Sequence, residues 1–118
     1  MILADYIAER LDKPFKYGVN DCVIFSIGWI EIKTDKKYLP EKLWTTEKQA
    51  IALTKKNGGL IEVFDKHFKR IEPNYAKDGD LTVCDGVASL FSGSSIVSVS
   101  KNGLVNKSRL EATNAWTV

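Results

Sequence analysis

The sequence predicts a single α+β domain whose N-terminal helices pack on one face of a C-terminal antiparallel sheet. Three observations carry this expectation. Apolar residues recur at helical spacing through the first half of the chain. After Pro73 the character changes to short strand-like runs. The pair Asp85-Gly86 between two of those runs is a two-residue hairpin signal. Helices first and a meander second is an α+β pattern. A chain of 118 residues is enough for one core and not for two, so residues 1–118 form one domain.

Leu3, Tyr6, Ile7 and Leu11 share a helical face over residues 3–11, and Pro14 separates that helix from the next element. Phe15 to Asn20 reads as an extended approach and turn, with Gly18 at the corner. Asn20 or Asp21 is a natural N-cap for a second helix reaching about Lys33. Seven residues there (Val23, Ile24, Phe25, Ile27, Trp29, Ile30 and Ile32) leave few polar breaks, so this helix is expected to be buried on most sides.

A polar loop spans 34–45, and a third helix covers about 46–56, with Thr46 as its cap and Asn57-Gly58-Gly59 as its stop. The run 60–68 fits helix or strand, and a short helix is favoured. Strands are expected at Leu81–Cys84, Val87–Phe91 and Ile96–Val99. A turn at Lys101-Asn102-Gly103 leads into Leu104-Val105, and a last strand lies at Ala115–Val118.

Seventeen basic residues against fifteen acidic ones, interspersed, describe a solvated surface. The basic runs Lys55-Lys56 and Lys66 to Arg70 are short and lack the aromatic spacing of a single-strand binding groove, which argues against nucleic acid as a partner. No stretch approaches the roughly 20 apolar residues of a membrane span. Asp5 and Glu9 stand where a signal peptide would carry basic and then apolar residues, so folding in the cytoplasm is expected.

Two cysteines make no disulfide framework, although a Cys22–Cys84 bridge is not forbidden. Cys22 falls in the first turn of the buried helix, where free backbone N–H groups and the helix dipole favour a thiolate. Cys84, in a strand, has no such help. A small apolar residue at the start of a buried helix also needs no function. A nucleophilic thiol requires a base, and the one histidine, His67, lies in the charged run Lys66 to Arg70, more in keeping with a surface position. Cys22, Cys84 and His67 lack the paired spacing of a zinc site, so no metal and no cofactor is expected.

Phe15-Lys16-Tyr17-Gly18-Val19-Asn20-Asp21-Cys22 resembles the nucleophile segment of NlpC/P60-type peptidases, which have a papain-like fold, and Gly79-Asp80-Leu81 is similar to the signature that opens their first sheet strand. Asn20-Asp21-Cys22, Gly58-Gly59, Gly79-Asp80, Gly103-Leu104 and Ala115-Trp116, in that order, are also similar to an uncharacterised family found largely in tailed phages and prophages. The resemblance implies a vestigial cleft around Cys22, bordered by Tyr17, Asn20, Asp21 and Val87. In the peptidases the catalytic histidine opens a strand of the form His-Val-Gly-Ile-Tyr-x-Gly. The matching run Val87 to Gly93 sets Val87 at that position, and valine cannot accept a proton. Neither His67, Asp85 in the hairpin turn nor Asp21 is a persuasive substitute base.

The resemblance therefore implies a non-catalytic papain-like domain acting as a structural or assembly component of a phage tail or tail tip. It would be made in the host cytoplasm and then built into the virion against other tail proteins or further copies of itself. Trp44, Tyr38 and Tyr75 are candidates for a partner surface, with local packing under a loop as the alternative. Two other readings remain: a cell-wall cysteine peptidase or amidase acting on peptidoglycan through Cys22 and an unrecognised base, and a small ligand- or protein-binding module.

Overall fold

In the computed structural model, which describes residues 1–118, four helices form where the apolar spacing places them. They are α1 (Leu3–Leu11), α2 (Cys22–Thr34), α3 (Glu47–Lys56) and α4 (Leu60–His67). Thr46 caps α3 by accepting from the Gln49 N–H at 3.2 Å. The ambiguous run at 60–68 is a helix through His67, and its Phe64 is buried against Trp116 at 5.5 Å between ring centroids.

α2 is the organising element. Val23, Ile24, Ile27, Ile30 and Ile32 are β-branched, and each costs at most about 0.7 kcal/mol relative to alanine in a helix. Burying such a side chain contributes about 1.5–3 kcal/mol. Burial wins wherever the residue is covered, as Ile24, Ile27 and Ile30 are together with Phe25 and Trp29. Ile32 and Leu11, expected on the buried faces of their helices, instead point outward, at 51% and 39% exposure.

α1 crosses α2 at Gly28, where a Cβ would lie 2.7 Å from the Tyr6 hydroxyl. That close approach lets Tyr6 stack between Phe25 and Trp29 at 5.7 and 5.5 Å. Its hydroxyl donates to the Phe25 carbonyl at 2.6 Å.

The second half of the chain supplies six strands: β1 (Lys69–Ile71), β2 (Leu81–Cys84), β3 (Val87–Ser92), β4 (Ser95–Ser100), β5 (Gly103–Ser108) and β6 (Ala115–Thr117). They form one sheet in the order β1-β6-β2-β3-β4-β5, and every neighbouring pair is antiparallel. Asp85 and Gly86 both have positive φ (52° and 77°), as a type I′ hairpin turn requires.

The fold is thus an α+β domain, but two details differ from a plain meander. Gly103 begins β5, opposite Ser100, instead of closing the turn. The chain also returns after β5 to lay β6 beside β2, with β1 outside it. β1 has three residues, two of them charged, and no alternation, so nothing local announces it. It is fixed by Asp65 of α4, which holds Arg70 through two hydrogen bonds of 3.0 and 2.9 Å and accepts from the Trp116 indole at 2.8 Å.

Strand alternation divides the core in two. Leu81, Val83, Ala88, Leu90, Val97 and Val99 face the helices with Trp116. Cys84, Phe91, Ile96 and Ala115 face the opposite side, under the segments 71–76 and 109–112. Both cysteines are free, and they belong to opposite faces of the sheet. β6 meets β2 at one residue pair, Leu81 with Trp116. Asn114 extends the ladder with its side chain, accepting from the Val83 N–H at 2.9 Å and donating to the Val83 carbonyl at 3.0 Å. No helix is long and apolar enough to cross a membrane.

Burial pushes the Tyr6 phenol up to about 12, against the opposing pull of Arg10. A group raised in the folded state stabilises the fold fully below its unfolded pKa of about 10 and loses that contribution as pH climbs towards the folded value. In urea titrations Tyr6→Phe should cost about 1 kcal/mol at neutral pH. Between pH 10 and 12 the wild type should lose about 2–3 kcal/mol relative to that variant.

Candidate functional site

The chain approaches α2 through a tight turn in which Lys16 and Asn20 exchange backbone hydrogen bonds of 3.2 and 2.8 Å. Gly18 sits at its corner with φ of 78°, and a Cβ there would lie 1.9 Å from the Trp44 carbonyl oxygen. A side chain is excluded both by the backbone conformation and by the loop packed against it.

Asp21 is the N-cap of α2, and it is buried. One carboxylate oxygen accepts from the Ile24 N–H at 2.9 Å. The other accepts from the Gly18 N–H at 2.9 Å and from the Trp44 indole N–H at 2.6 Å. The side chain is held as a cap and clamp by these three donors. Trp44 is accordingly buried, not the exposed partner aromatic that its loop position suggested; an indole N–H taken from water needs an acceptor, and Asp21 supplies one.

Tyr38 is half-buried against Phe68 and His67, at 4.9 and 6.1 Å between centroids. Its loop is tied down by Glu31, which accepts from the Tyr38 and Leu39 N–H groups at 2.7 and 2.9 Å. Of the three candidate aromatics, Tyr75 alone is open to solvent, at 79% exposure.

Cys22 is the first residue of α2 and is half-buried. The Ala88 backbone amide at the start of β3 lies against its sulfur, and the Val23 and Cys22 amides also favour the thiolate. Burial outweighs them and pushes the thiol up, and the charge of Asp21 pushes the same way. Helix-terminus assistance is therefore present at Cys22, but it does not decide the protonation state.

Cys22, Tyr17, Asp21 and Val87 border one groove of about 960 Å³. Asn20 does not belong to it. Asn20 is buried behind the turn, where its amide group donates to the carbonyls of Arg10, Lys13 and Pro14 at 3.2–3.4 Å. Its side chain holds the end of α1 to the start of α2, a structural task that an Asn-Asp-Cys string does not reveal.

His67 borders the same groove from the end of α4, packed against Tyr38 and Phe68. Asp85 is exposed and pairs with Lys107. Most of the groove wall comes from positions that carried no chemical signal, including Ile51 and Leu53 of α3 and Val63 of α4. Their apolar spacing was visible, but core-facing and groove-facing residues follow the same helical period.

The profile of the family described as "Domain of unknown function (DUF6950)" matches residues 2–118. The chain belongs to this family. No curated protein and no solved structure matches it. In this DUF6950 domain the candidate site combines a capped buried helix, a thiol at its start and the end of a hairpin beside it.

The clamp around Asp21 sets an order of effects that urea denaturation can check. Trp44→Phe removes one hydrogen bond to a buried carboxylate and should cost about 1.5–3 kcal/mol. Gly18→Ala, which forces the Trp44 loop away from a positive-φ residue, should cost more than Trp44→Phe.

Proposed function

We propose that this chain is a non-catalytic domain of papain-like, NlpC/P60-type ancestry, serving as a structural or assembly component of a phage tail or tail tip. A nucleophilic cysteine needs a thiolate and a base to manage its proton. One observation carries the non-catalytic reading. The sulfur of Cys22 meets the start of β3, where Val87 stands in the place that the resemblance assigns to histidine, and burial pushes the thiol's pKa up. The tail context is supported by the order of short motifs from Asn20-Asp21-Cys22 to Ala115-Trp116, which are similar to those of a phage and prophage family.

The alternative, a cell-wall cysteine peptidase, draws on the same groove because His67 borders it together with Cys22. The rate of Cys22 alkylation by iodoacetamide between pH 5 and 10, measured in a Cys84→Ala background with Cys22→Ala as the blank, separates the two. The non-catalytic reading requires a midpoint above the free-cysteine value of about 8.5. A midpoint well below it, lost in His67→Ala, would return the chain to the hydrolases. A tail component should also be found by mass spectrometry in purified particles of the phage that encodes it.

A further inference from the structure

α3 is well formed, yet little holds it to the body of the molecule. Thr46 caps its start, and the N–H groups of Gly58 and Gly59 close its end on the Lys55 and Thr54 carbonyls at 3.1 and 2.9 Å. None of its residues is buried, and Ile51 and Leu53 leave 48% and 38% of their surface open. The groove of about 960 Å³ runs between this helix, α4 and the start of α2, and its wall is mainly apolar. An apolar helix face normally covers a core. Here it borders open space.

The charges on the groove are of one sign where they are free. Lys55 in the last turn of α3 and Lys66 in the last turn of α4 both border it and are exposed. The ion pairs of the chain are Lys13–Glu9, Arg70–Asp65, Lys101–Glu47 and Lys107–Asp85, so neither lysine has an acidic partner. The two carboxylates on the groove are both engaged: Asp21 by its three donors, Glu47 by Lys101. An apolar trough with two unopposed ammonium groups is complementary to an apolar ligand that carries acidic groups.

Size decides the class of ligand. The volume lies at the upper end of the range of about 300–1,000 Å³ found for small-molecule sites. A cylinder of α-helical width, about 10 Å, with that volume is about 12 Å long, or roughly eight residues at 1.5 Å each. A single acyl chain is far thinner and would leave most of the trough unfilled.

We infer that the groove receives a short amphipathic helix of a partner protein, with apolar residues against α3 and α4 and Asp or Glu placed to meet Lys55 and Lys66. This is helix-in-groove recognition, read as apolar anchors at i, i+3 or i+4, and i+7. It rests on the reading of the domain as an assembly component and gives the chemistry of what it assembles with.

The test is a selection from a displayed library of random 14-residue peptides on the full chain, followed by fluorescence anisotropy of the synthetic winners. The expected winners carry helically spaced apolar residues flanked by acidic ones. Their Kd should rise about five- to tenfold on Lys55→Glu/Lys66→Glu, and by a similar factor in 0.5 M salt. It should rise at least tenfold on Ile51→Asp. All three positions are exposed, so the variants should keep the wild-type circular dichroism.

The inference is overturned by no enrichment, by basic or non-helical winners, or by winners indifferent to both variants. It is equally overturned if laurate binds with the lysine dependence while no peptide does. Sedimentation showing a dimer that Ile51→Asp dissociates would assign the groove to a second copy instead. The Cys22 titration is independent of these outcomes. A low thiol midpoint would end the non-catalytic reading without touching the peptide result, and a failed selection would leave the titration standing.

Discussion

A buried carboxylate holds together the part of the molecule in which its character resides. Asp21 closes the first turn of α2, fixes the Gly18 corner and anchors the Trp44 loop through three hydrogen bonds. A carboxylate taken out of water is costly unless its lone pairs are satisfied. Here the donors come from three separate pieces of structure, a turn, a helix and a loop, so the carboxylate is satisfied only when all three are in place. The start of α2, and with it the position of Cys22, is set by that requirement.

The same helix start sets two opposing influences on the Cys22 thiol. Backbone amides at Cys22 and Val23, and that of Ala88 across the gap, offer the stabilisation that a nucleophilic cysteine uses elsewhere. The groove wall around the sulfur is mostly apolar, and the adjacent charge is negative. Desolvation acts on the thiolate from several sides at once, whereas each amide supplies one dipole.

The sheet and α2 provide the firmly held side of the groove, and α3 provides the loosely held side. β2, β3 and β4 are buried on both faces, and their alternation sends one set of side chains to α2 and the other to the segments behind. α3, by contrast, has no buried residue. Local stability follows buried contact, so the groove is bordered on one side by the most firmly held part of the chain and on the other by one of the least.

The first three helices, a cap at Asn20 or Asp21, the Thr46 cap, the Asp85-Gly86 turn and the central place of α2 were legible in the sequence, because each depends on residues within one or two turns of one another, whereas 60–68 fitted helix or strand. Helical period, capping side chains and positive-φ turns are local chemistry. The tertiary structure alone decided what each exposed-looking residue meets. Trp44 found Asp21 across 23 positions, and β1 gained its place from Asp65 and Trp116. Asn20 turned from the groove to the carbonyls of Arg10 and Lys13, and α3 was left bordering a trough instead of a core. Such outcomes depend on which segments the fold brings together, and a hydrogen bond between distant segments leaves no periodic trace in either of them.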